Sequence, residues 1–212
     1  EADDTAIKGG AKLSWSDPRV KNWFIAGLLG GHGQALIMGV LGFLVLDRLH
    51  LRATPELAYQ PTGLVLTVGA MATLLAQWGL IPMLHLGPRN SVLWGGVLGA
   101  IGLVLLSQAY SLHGIAMAFG IASMGFGLFR PGFTAGASLA VTRTEQDVVA
   151  GKVAALNGAA WVLGPAVGVA LYGWHESVFF TLAIAICIGM GLHGWRTLQR
   201  GLAHRPSGDQ QA

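Results

Sequence analysis

The chain has 212 residues, 53% of them hydrophobic and only 11% charged, where soluble domains carry about 25% charged residues. With a mean hydropathy of +0.57, this composition disfavours a soluble enzyme, a nucleic-acid-binding domain and a secreted disulfide scaffold. The formal net charge of +3 is no nucleic-acid signal, because the basic residues sit between long uncharged stretches. Cys187 is the only cysteine, so no intrachain disulfide forms.

Residues 1–21 are a polar lead that opens with Glu1, Asp3 and Asp4. It has neither the apolar run of a signal peptide nor an initiator Met, and the chain is expected to be a piece of a longer or processed protein. Beyond it, 25 uncharged residues separate Lys21 from Asp47, 32 separate Glu56 from Arg89 and 40 separate Arg89 from Arg130. A further 23 lie between Lys152 and Glu176, and 19 between Glu176 and Arg196. A bilayer-spanning helix takes about 20 apolar residues. The longest stretch therefore holds two spans and the others one each.

The reading is an all-α, polytopic membrane protein with a six-helix domain over 22–196 and a basic tail over 197–212. The spans are expected at about 23–46, 59–84, 91–107, 112–129, 153–172 and 178–195, with 130–152 as the longest internal connection. Barrel strands are ruled against because each segment is apolar on every face, whereas strands of a barrel alternate. Pairs of glycines four residues apart, Gly27/Gly31, Gly95/Gly99, Gly132/Gly136 and Gly164/Gly168, are expected to be seams where helix backbones approach closely. Trp23, Trp94, Trp174 and Trp195 fall near span ends, where an aromatic belt belongs.

An even number of spans puts both termini on one side. That side takes Lys8, Lys12, Arg19, Lys21, Arg89, Arg130, Arg143, Lys152, Arg196, Arg200 and Arg205, and the other takes only Arg48 and Arg52. The positive-inside rule then makes both termini cytoplasmic.

No Asp, Glu, Lys or Arg falls inside an expected span, which leaves His32 as the one intramembrane ionisable group, a candidate proton relay or hydrogen-bonding ligand. Gln34 lies about 200° around the helix from it. Thr73 and Gln77 share a stripe of the second span, and Asn157 and Trp161 share one of the fifth. Lipid offers such groups no partner, so they either join helices or line a cavity. Pro165, one turn beyond Trp161, frees a backbone carbonyl and bends the helix. No metal-ligand cluster, Walker loop or nucleophile–base pair is present, so no enzyme and no cofactor is expected.

Several segments, taken together in order, resemble the C-terminal half of a major facilitator superfamily transporter. Leu86-Gly87-Pro88-Arg89 is similar to the Gly-Arg end of the Gly-x-x-x-Asp-Arg-x-Gly-Arg-Arg loop, without its Asp. Phe129-Arg130-Pro131-Gly132-Phe133 resembles an Arg-containing motif on a cavity helix. Gly158 with Gly164-Pro165-Ala166-Val167-Gly168 resembles a Gly-x-x-x-Gly-Pro-x-x-Gly antiporter helix. The nearest likeness is to bacterial drug:proton antiporters and efflux permeases. It implies a 3+3 inverted repeat, a cavity lined by the first, second, fourth and fifth spans, and a partner N-terminal six-helix half. It also implies alternating-access movement of a small molecule across the bacterial inner membrane, with protons in exchange. The alternative is an intramembrane binding or assembly module that transports nothing.

Overall fold

A computed structural model describes residues 13–198. Lys8, Lys12, Arg200 and Arg205, with most of the lead and of the tail, lie outside the described residues. Six helices are long and apolar enough to cross a membrane: α1 Lys21–Arg48, α2 Pro55–Met83, α3 Pro88–Ser107, α4 Leu112–Leu139, α5 Arg143–Trp174 and α6 Glu176–Thr197. This is the build of a multi-pass membrane protein.

The connections are short, and local chemistry sets each. After α1 and after α2 the chain turns through a histidine with positive φ, His50 at 56° and His85 at 49°. In both turns the following residue, Leu51 or Leu86, donates its N–H to a carbonyl five residues back, which ends the helix with a left-handed residue where glycine is usual. Gly87 then caps α3 with Pro88 as its first residue, the position where a missing N–H costs nothing. The Ser111 hydroxyl accepts the Gly114 N–H, 3.2 Å, at the start of α4. Thr142 and Glu145 cap each other reciprocally at the start of α5.

Two of the helices run further than the apolar stretches suggest. α4 continues through Arg130 and Pro131 to Leu139, and regular α-helix in α5 starts at Gln146. Residues 130–152 are therefore mostly helix, not the longest connection. It also follows that His32 is not the sole ionisable side chain deep in a helix, because Arg130 is one too. The charge at Arg130 and the proline beside it read as a helix end. The chain tolerates both because Arg130 is exposed to a cavity rather than buried against a neighbour.

The helices alternate in direction, and polar contacts fix which ends meet. At one end Arg89, opening α3, donates to the carbonyls of Trp195 and Leu198 at the close of α6, 2.9 Å each. Arg19, ahead of α1, forks onto Glu145 at 2.8 and 2.9 Å. At the opposite end buried Arg48 donates to the Ser107 carbonyl at 3.0 Å, pairs with Glu176 and stacks on the Tyr110 ring. There too the Tyr172 hydroxyl donates to Asp47, 3.1 Å.

α1 and α4 form the centre. In their most apolar stretches 56% and 67% of residues are buried, against 17% in α2 and 22% in α5. α1 packs chiefly on α5, α4 on α2 and α3, and α3 also on α6. Glycines make these crossings. A Cβ on Gly95 or Gly125 would strike the facing backbone, on Gly27 the Phe133 ring, and on Gly136 the Trp23 ring. Gly164 and Gly168 sit against Ala35 and Leu36, and Gly39 against Pro165.

Candidate functional site

A cavity of about 470 Å³ opens where α2, α4 and α5 meet. Gln77 and Trp78 of α2, Arg130 and Thr134 of α4, and Asn157 of α5 supply its wall, with Ile81 and Phe133 as apolar surface. Each side chain is placed by its helix. Arg130 and Thr134 are one turn apart and share a face of α4. Gln77 and Trp78 lie in a widened π-helical turn, Leu75–Leu80. Pro82 explains that turn: it has no N–H to offer the Trp78 carbonyl four residues back, and its ring crowds that carbonyl. Such bulges re-aim side chains and recur at functional sites. Pro131 does the same to the Gly127 carbonyl in the wall opposite.

The electrostatics of the cavity are simple. Arg130 is the only charged group in its wall, and among the described residues nothing forms an ion pair or hydrogen bond with it. Gln77 and Asn157 add amides that donate and accept, and Thr134 adds a hydroxyl. Trp78 is 79% exposed and presents a broad aromatic surface. The Arg130 Cα lies about 13 Å along α4 from Leu139. The cavity is thus set in from the Arg89/Glu145 end of the bundle.

The residues marked by the sequence divide into five groups. Gln77, Arg130 and Asn157 come together here. Thr73 does not: its hydroxyl donates to the Ser123 carbonyl at 3.2 Å and ties α2 to α4. Gly164, Pro165 and Gly168 lie in the α1–α5 crossing, while Gly87 and Arg89 belong to the α2–α3 turn and its hold on α6. His32, Gln34 and Trp161 stand apart from the cavity wall. Gln34 is half-buried and Trp161 is exposed. His32 Nδ1–H donates to the Leu28 carbonyl of its own helix, 2.8 Å, and Leu28 on the same face is itself exposed.

Trp78 and Thr134 were not singled out by sequence reasoning. Thr134 carried a usable signal, its i+4 spacing from Arg130. Trp78 carried none, because its aim depends on the widened turn.

A second cavity, about 420 Å³, lies between α3 and α6. Its lining is Leu93, Trp94, Val97, Cys187, Ile188 and neighbouring, mostly apolar residues, with no charged or amide side chain to orient a polar ligand. No family model and no curated protein matches this sequence.

Proposed function

We propose that the chain is the C-terminal half of a secondary transporter of the major facilitator type, moving a small molecule by alternating access, as an efflux antiporter in exchange for protons. The observation that carries the reading is the cavity itself. Gln77, Arg130 and Asn157 converge on one opening at the least covered face of the bundle, the side of α2 and α5. Lipid would leave those groups unsatisfied, whereas an N-terminal six-helix half laid on α2 and α5 would enclose them. Transporters of this type bind their cargo at such an interface between halves.

The packing pattern supports the inverted repeat. α1 rests on α5 as α4 rests on α2, and α1 meets α6 as α4 meets α3. Exchanging the first three helices for the last three maps these pairings onto one another. The excess of Lys and Arg at the Arg89/Glu145 end supports cytoplasmic termini and, with the resemblance, a bacterial inner membrane. The bare α2 and α5 faces also suit an assembly module, and the experiment separates the two readings. In everted vesicles carrying the full-length protein and energised by a proton gradient, a transported compound should partly collapse the gradient. Asn157→Leu or Gln77→Leu should abolish that response while membrane insertion persists. A wide compound panel without response would favour the assembly module.

A further inference from the structure

We infer that the molecule taken by this cavity is a small organic anion with a flat apolar body, its carboxylate or equivalent group held by Arg130. The inference rests on the transporter reading for its biological meaning, but its physical basis is local. A guanidinium set in from the end of the bundle is kept only where it faces a partner or a water-filled cavity, and Arg130 faces a cavity. Among the described arginines Arg48 has Glu176 and Ser107, Arg52 has Asp47, Arg89 has Trp195 and Leu198, and Arg19 has Glu145 and Asp17, whereas Arg143 and Arg196, at helix ends, are tied to nothing among the described residues. Arg130 has no such partner either, but its cavity is of molecular size.

The surroundings fit an anion and discriminate against a cation. The guanidinium presents a planar fork of donors that matches a carboxylate in two parallel bonds. Gln77 and Asn157 add amide N–H donors from the two flanking helices. Among the described residues no Asp or Glu lines the wall, so a cationic ligand would meet the repulsion of Arg130 with no carboxylate to offset it. Trp78, Phe133 and Ile81 supply the apolar surface for the rest of the molecule, and an exposed indole face favours a flat ring.

The test uses three probes that share one ring system and differ in charge: 2-naphthoate, 2-naphthalenemethanol and 2-naphthylmethylammonium. Binding to the full-length protein in lipid nanodiscs is measured by calorimetry. Naphthoate should bind on the order of tenfold more tightly than the alcohol, and the ammonium more weakly than either. Arg130→Gln should erase the preference for naphthoate, and Arg130→Lys should retain part of it. Because Arg130 holds no structural partner among the described residues, the melting temperature of both variants should stay near wild type, which separates lost recognition from lost folding.

Equal or tighter binding of the ammonium would overturn the inference. So would an undiminished naphthoate preference in Arg130→Gln, or the absence of any preference in the wild type, the result expected if a carboxylate of another six-helix half neutralises Arg130. Failure of the transporter reading looks different. There naphthoate binds with the Arg130-dependent preference, yet reconstituted vesicles neither accumulate nor release it.

Discussion

Arg89 shows how much one side chain contributes to joining helix ends. It opens α3, and its Nε and Nη2 reach two carbonyls at the end of α6, groups that no intrahelical donor satisfies. A cation there also complements the negative end of the helix dipole. Arg89→Ala should lower stability by about 2 kcal/mol, the scale of hydrogen bonds made by a charged donor. Arg89→Lys should recover less than half of it, because an ammonium lacks the fixed fork that spans two acceptors. Thermal unfolding in detergent reads both, and a Lys variant as stable as wild type would contradict this role. The sequence displayed Gly87 and Arg89 as a loop motif, but the acceptors of Arg89 lie more than a hundred positions away in α6 and leave no local trace. Gln77 and Asn157 were legible as amides on apolar helices. That they share one cavity was not, because it depends on which helices touch.

Helix pairing rests on the small residues, and two glycines of α5 make a controlled pair. A Cβ on Gly168 would press into the Leu36 carbonyl of α1, whereas one on Gly158 would meet nothing within 4 Å. Gly168→Val should cost about 1–3 kcal/mol through overpacking, and Gly158→Val should leave the melting temperature close to wild type. A milder effect at Gly168 than at Gly158 would contradict the crossing described here.

Ahead of α1, the segment from Leu13 to Val20 is tied to α5. Arg19 forks onto Glu145, and Lys152 lies over the Trp15 ring, 3.9 Å from its centre. Arg19 also pairs with Asp17 and holds that carboxyl below its usual range. A depressed folded pKa means the contribution is complete above the unfolded value of about 3.9 and is lost as pH falls through the lower folded one. Amide protection at Arg19, whose N–H donates to the Asp17 carboxylate, should therefore hold from pH 7 to about pH 5 and decline only below about pH 4, once intrinsic exchange is corrected. Loss of protection near neutrality would contradict it. At this scale the six spans were readable from the gaps between charges. The ends of α4 and α5 were not, because a charged residue facing a cavity and one facing the membrane surface look the same in sequence.

Across the whole molecule, two central helices, two peripheral ones and two left bare divide the work. α1 and α4 bury most of their apolar length, α3 and α6 pack around them, and α2 and α5 present the polar cavity. If that opening is part of a transport path, water reaches it from each side of the membrane in turn. If the same surface is a static seat for a partner, it does not. The most direct measurement is modification of a cysteine at position 157 by a membrane-impermeant thiol reagent, with buried Cys187 as a silent background. Val162→Cys, on an exposed apolar position of the same helix, serves as the lipid-facing control, and Arg52→Cys, at the end of the bundle away from Arg89 and Glu145, marks the side that the proposed orientation makes external. In oriented vesicles carrying the full-length protein, Asn157→Cys should react from the cytoplasmic side and, on reversing the proton gradient, from the outer side, while Val162→Cys reacts from neither. Failure of Asn157→Cys to react from either side under both gradients would contradict the account.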